Sequence, residues 1–201
     1  DSRHAGFSQI IVDLKNDGAK VRPIRNMAGG EDFNEVVFDN VLVPKDRIVG
    51  EPGNGWQQVT SELAYERSGP ERFLSSFRVF VELVRICGDS PSPHQAAAIG
   101  RIASHFMTLR RMSLSVAGML EAGKDVSVEA ALVKELGNNF EKLLPEIARL
   151  VVPDLSAVDP DKQRLFRETF EETLMLSPSF TLRGGTREIM RGVIARGLGL
   201  R

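Results

Sequence analysis

The chain has 201 residues, with 26 lysines and arginines against 27 aspartates and glutamates, for a formal net charge of −1. Balanced charge supplies no bulk attraction to nucleic acid or to an acidic membrane surface, and the few aromatics (11 Phe, one Trp, one Tyr) offer little for base stacking. The single cysteine, Cys87, cannot form an internal disulfide and reads as a small core residue rather than a nucleophile. No signal or transit peptide and no bilayer-length apolar run is recognisable, so the expectation is a cytoplasmic protein without membrane insertion, and no residues are assigned to a metal. The opening "DSRHAGFSQ" lacks an initiator methionine and reads as part of something longer.

The first fifty residues carry strand signals. "FSQIIVDL" and "EVVFDNVLVP" are rich in Val, Ile and Phe, and "NDG" and "MAGGEDF" between them have turn chemistry. Two or three short strands would form an open sheet with an uncovered face and free edges, which predicts further partners in an N-terminal portion outside this chain. Pro44 closes the second run, and the glycine-rich "VGEPGNGW" marks a boundary near residue 50, giving a strand-bearing part at 1–50 and a helical part at 51–201.

Beyond the boundary, apolar residues recur at threes and fours, which predicts helices at about 54–86, 94–122, 127–150 and 161–176 and a shorter one at 187–198. Gly123 is a natural C-terminal stop, while Pro70 and Pro145 fall inside predicted helices and each predicts a kink. Long helices with short joints pack as a bundle. The fold class is therefore mainly α, a four-helix bundle preceded by a few strands.

The first helix carries an acid on its apolar side. On a helical wheel Trp56, Val59, Leu63 and Pro70 form one stripe, and Glu66 lies only about 40° from its middle, whereas Glu62 and Tyr65 turn toward solvent. A carboxylate removed from water needs a partner or a raised pKa. An ion pair with Arg67 or with an arginine of a neighbouring helix satisfies that need, and so does a functional site. In an unbroken helix the missing N–H of Pro70 would also free the backbone oxygen of Glu66.

Near the C-terminus, "FTLRGGTREIMR" places two glycines and a threonine before a short amphipathic helix. Thr186 is a natural N-cap, and Glu188 sits in the first turn, where the helix dipole favours an anion.

Four stretches, in order, resemble the acyl-CoA dehydrogenase superfamily: "AGFSQIIVDL", "FNEVVFDNVLVP" with "IVGEPGNGW", "LAYERSG", and "GGTREIMRGVIARGLGL". The resemblance implies the last part of a middle β-domain followed by a C-terminal helical-bundle domain. It implies α,β-desaturation of an acyl-CoA thioester of the fatty-acid β-oxidation type, with FAD as cofactor and an electron-transfer flavoprotein as acceptor. Assembly through the bundle into a homo- or hetero-oligomer is also implied. In many members the base directly precedes the Gly-Thr of the C-terminal signature, a position held here by Gly184. In the branch similar to the isovaleryl and long-chain types it precedes the arginine of the first bundle helix, which places the base at Glu66. By the same resemblance Gly185, Thr186 and Glu188 contact the flavin, Arg67 contacts substrate or supports the base, and Arg191 caps or pairs.

Two features depart from that pattern. "RICGDSPSPHQ", with Arg85 and Gly88, lacks the phenylalanine of the family's Arg-x-x-Phe-Gly segment, and "FEETLMLSPSF" replaces its Gln-x-x-Gly-Gly turn. These keep two alternatives open: a non-catalytic partner subunit of a hetero-oligomeric dehydrogenase, and a flavin-dependent oxidase or monooxygenase of the same superfamily.

Overall fold

A computed structural model of the chain describes residues 4–200 and divides into two compact units, 1–62 and 63–201. In the first, β2 (Ala19–Ile24) and β3 (Phe33–Phe38) form an antiparallel hairpin, with Ala19 opposite Phe38 and Ile24 opposite Phe33. A second, smaller ladder pairs β1 (Gln9–Ile10) with β4 (Ile48–Val49). The predicted strand at "FSQIIVDL" is thus reduced to a two-residue strand, with Phe7 making an isolated bridge to Asn54. β2 is an addition to the sequence reading, since its sequence "AKVRPI" mixes charge and proline with only three apolar side chains. Pro23 is tolerated because a two-stranded ribbon leaves one side of each strand without a partner. The loop between β2 and β3 is closed by Asn26, whose Oδ1 accepts from the N–H groups of Ala28 and Gly30. Val21, Val36, Phe33 and Phe38 on the hairpin remain exposed.

The helices follow the predicted order with one break. Where one helix is expected over 54–86, the chain forms α1 (Gly55–Ser68), a 3-10 turn at Pro70–Arg72 and α2 (Phe77–Cys87). Gly69 is extended (φ −64°, ψ 157°) and Pro70 opens the turn, so Pro70 ends the helix instead of kinking it. α3 (Pro93–Glu121) starts with a Ser92–Gln95 capping box and Pro93 in its first turn, and stops before Gly123 at φ +69°. α4 (Ser127–Val151) runs through Pro145 as a continuous helix, followed by α5 (Pro160–Leu176) and α6 (Arg187–Gly197). At Pro145 the carbonyl left without its helical N–H is that of Glu141, and it accepts from the Ser76 hydroxyl at 2.9 Å.

Helices α2 to α5 form the bundle. α2 packs on α5, α3 and α4, and α6 lies along α4. The core holds Val79 and Leu83 of α2, Ile102, Phe106 and Leu109 of α3, Phe140, Leu144 and Ala148 of α4 and Phe166 of α5. Phe106 stands edge-on to both Phe77 and Phe140. Cys87 is a half-buried thiol packed against this core, and burial pushes its pKa up, opposite to what a nucleophilic cysteine needs. Among the described residues no helix is long and apolar enough to cross a membrane.

Leu83 is fully buried where α2 meets its neighbours. Leu83→Ala is expected to destabilise the chain by about 2–5 kcal/mol, measured as a lowered urea midpoint with an unchanged slope.

Candidate active site

Glu66 sits in the last turn of α1. The stripe that defined its face in the sequence does not point into the core, for Trp56 and Val59 are both exposed and Pro70 has left the helix. Glu66 itself is half-buried, with 40% of its side chain accessible. Its partner is neither Arg67 nor an arginine from another helix. Arg72, buried in the 3-10 turn, reaches back with Nη2 to Glu66 Oε1 at 2.7 Å and with Nε to the Glu66 backbone oxygen at 2.7 Å. One guanidinium thereby binds both ends of one residue, a use suited to arginine's planar fork. Glu66 Oε2 takes no hydrogen bond among the described residues.

Opposite Glu66 stands the glycine turn. Gly184 and Gly185 adopt φ +65° and +102°, the left-handed region that glycine enters without strain. A Cβ built on Gly184 would lie 2.7 Å from Glu66 Oε1 and 3.2 Å from Oε2, so a side chain at 184 would require the Glu66 carboxylate to shift. Arg67 ties the two segments together by donating Nε to the Gly184 carbonyl at 3.3 Å. Burial lowers its pKa while the Glu66 charge works against that.

Thr186 occupies the N-cap position of α6, but its side chain makes no capping bond to the helix N–H groups. Instead the exposed Glu188 carboxylate is held below its ordinary pKa by its own backbone N–H and by the Thr186 hydroxyl. Arg191, together with Arg187, pairs with Glu135 of α4 at 3.0 and 3.1 Å and so clamps α6 to the bundle. Burial works to raise the Glu135 pKa, and the two arginines outweigh it. In α2, Arg85 is engaged by Glu82 at 2.7 Å.

Beneath the site lies a buried polar layer that the sequence reading did not contain. Glu141, fully buried on α4, accepts at Oε1 from the Ser75 N–H at 2.8 Å and at Oε2 from Arg183 Nη2 at 3.0 Å. It therefore holds both the segment after Arg72 and the segment before Gly184. Burial raises its pKa against the opposing pull of Ser75 and Arg183. Two turns earlier on α4, Lys134 is also fully buried, and the Asn138 amide, with its oxygen toward the lysine, accepts from Nζ at 2.7 Å. Burial, with Arg72 and Arg183 nearby, pushes the Lys134 pKa down to about 8. The only sequence signal for this layer is the presence of Lys134, Asn138 and Glu141 on the apolar face of α4, spaced by fours and threes.

Comparison with known proteins gives this geometry a family. The chain is 31% identical over 202 residues to the acyl-CoA dehydrogenase IpdE1 of Mycobacterium tuberculosis and 29% identical over 204 residues to IpdE1 of Mycolicibacterium smegmatis; each alignment covers 98% of this chain. The chain belongs to the acyl-CoA dehydrogenase superfamily. It spans about half the length of these relatives, 52% and 50% respectively. Its fold matches that of a chain in the crystal structure of the ChsE4–ChsE5 complex from Mycobacterium tuberculosis, with a TM-score of 0.75 at 23% identity over 98% of this chain and 54% of that one. No family model matches the chain.

The residues at the start of α6 that the family resemblance assigns to the flavin are Gly185, Thr186 and Glu188. The pair at the start of α6, an accessible carboxylate and a hydroxyl, suits the hydroxyl groups of a ribityl chain or ribose. It does not suit a pyrophosphate, because Glu188 places negative charge at the end of α6 that would otherwise attract an anion.

Removing the Glu141 carboxylate by Glu141→Leu leaves Arg183 and the Ser75 N–H without their partner and is expected to cost about 3–5 kcal/mol by urea unfolding. Lys134 sets a pH signature. Below about 8 it is charged in folded and unfolded chains alike; between about 8 and its ordinary 10.5 only the unfolded chain keeps the proton, so stability rises with pH across that window. Lys134→Met is expected to abolish this rise, on the order of 2 kcal/mol, in unfolding titrations at stepped pH.

Proposed function

We propose that this chain is the base-bearing helical portion of an FAD-dependent acyl-CoA dehydrogenase, with residues 1–50 the closing part of its middle β-domain and 51–201 its helical domain. The observation that carries the reading is the seat of the Glu66 carboxylate against Gly184, where a side chain at 184 would press on the carboxylate and require it to shift. The two positions from which a family member can present its base thus converge on one place, and here Glu66 fills it.

Glu66 removes the α-proton of the acyl thioester at Oε2, the oxygen that Arg72 leaves free. A carboxylate placed in this way contributes on the order of 10²- to 10⁴-fold as a general base. Arg67 holds the Gly184 carbonyl, so the turn facing the carboxylate keeps its shape; its role is support more than substrate contact. Gly185, Thr186 and Glu188 would hold FAD, which when bound supplies the acceptor for the β-hydride, with an electron-transfer flavoprotein as the final acceptor. Assembly of the bundle as a homo- or hetero-oligomer is supported by Leu136, Leu143 and Leu150, exposed at seven-residue spacing along α4.

The test is anaerobic bleaching of the flavin in the full-length protein on addition of a panel of acyl-CoAs. Wild type is expected to bleach with at least one of them, and Glu66→Gln to slow bleaching by on the order of 10²-fold or more with flavin content unchanged. Bleaching of Glu66→Gln at the wild-type rate would overturn the assignment of the base.

A further inference from the structure

The turn between α1 and α2 is only eight residues long, Gly69–Ser76, yet it is held from several directions. The Ser68 carbonyl before it accepts from the Ser113 hydroxyl of α3 at 2.6 Å. Phe73 is buried in the core. Ser75 N–H is held by the Glu141 carboxylate and the Ser76 hydroxyl by the Glu141 carbonyl, both on α4. The Arg72 backbone lies so close to α4 that a Cβ on Gly137 would stand 2.3 Å from the Arg72 carbonyl oxygen. Gly137 lies inside a helix, where glycine costs about 1 kcal/mol relative to alanine, so its presence there coincides with a close approach that a larger residue would forbid.

A surface turn that only connects two helices needs no such anchoring. What this one delivers is the Arg72 guanidinium, buried and bonded at 2.7 Å to both the carboxylate and the backbone oxygen of Glu66. Pro70 favours the turn, and the end of α1 at Ser68 leaves the Glu66 carbonyl free to accept from Arg72 Nε. Lys134 and Arg183 add positive charge near Arg72, and the carboxylates beside that guanidinium are Glu66 at 2.7 Å and Glu71 at 3.6 Å.

We propose that Arg72 is the positioning residue that aims the Glu66 carboxylate, and that Gly137 is the seat on α4 that fixes Arg72. The proposal rests on Glu66 being the base. Arg72 does not touch the reacting carbon; it restricts Oε1 and leaves Oε2 to accept the proton. Lysine cannot replace it, since one ammonium on a flexible stem does not hold two acceptors in a fixed plane.

The experiment measures base action without oxidation. The full-length protein is incubated in deuterium oxide with an acyl-CoA whose β-carbon is replaced by sulfur, so that no β-hydrogen can leave. Glu66 then breaks the α-C–H bond, takes the proton, exchanges it with solvent and returns a deuteron to the same carbon. Exchange rate and thioester affinity are read for wild type, Glu66→Gln, Arg72→Lys and Gly137→Ala. Glu66→Gln is expected to abolish exchange, and Arg72→Lys and Gly137→Ala to slow it by about 10- to 100-fold with affinity changed less than about twofold, the range expected for a misplaced group. Gly137→Ala alters no charge and favours the helix but presses on the Arg72 carbonyl. Each variant is therefore read once its urea midpoint shows it folded, and Arg72→Gln, which keeps one donor, replaces either if it does not fold. Exchange by Glu66→Gln at the wild-type rate would overturn the base and this proposal with it. Loss in Glu66→Gln with wild-type exchange in Gly137→Ala and in any folded Arg72→Lys would overturn the positioning role alone, as would an equal fall in affinity and rate.

Discussion

The candidate site depends on the carboxylate of Glu141, an acid with no access to water. Both of its oxygens are used, one on the Ser75 N–H and one on Arg183, and its backbone oxygen takes the Ser76 hydroxyl. Those three bonds fasten the turn that carries Arg72 and the strand of chain that leads into Gly184 to one position on α4. A buried charge is retained at a cost in desolvation, and it is tolerated when its lone pairs are satisfied as completely as here.

From that strut the rest follows by short steps. The turn presents Arg72 to Glu66, and the pre-glycine segment presents Gly184 to the same carboxylate. Each partner would tolerate alternatives if it stood alone. Together they narrow the arrangement, because a side chain at 184 would require the Glu66 carboxylate to shift, a side chain at 137 would meet the Arg72 backbone, and loss of Glu141 would remove a bond from both segments. The arginines of α6 serve a parallel purpose: paired with Glu135, they hold the helix that follows the glycines against α4. Arg191, readable from the sequence as a cap or an ion pair, is an ion pair.

Family resemblance also explains where the sequence reading stopped. Arg85, which stands in the region of the family's flavin-reaching arginine, is engaged within its own helix by Glu82. The segment that replaces the glycine turn of other members continues α5 into a 3-10 stretch at Ser177–Leu182, with Phe180 buried and Arg183 over its ring. Within this stretch Ser177 and Phe180 are buried, while Leu182 is exposed.

The sequence by itself determined the helical bundle, since the apolar periodicity of α3, α4 and α5, the Ser92–Gln95 cap and Gly123 are local signals that packing reinforces. It also singled out Glu66, Gly184 and Thr186, although its reason for Glu66 was incomplete, because the wheel's stripe lies largely exposed. Tertiary structure decided the partner. Arg72 is six residues from Glu66, a separation that no helix would bring together, and only the break at Gly69–Pro70 folds it back. Lys134, Asn138 and Glu141 were likewise hidden, because a polar residue on an apolar helix face has meaning only once the groups opposite it are known, and those come from segments 42 to 66 residues away. Local patterns encode elements; the pairing of buried charges depends on which elements meet.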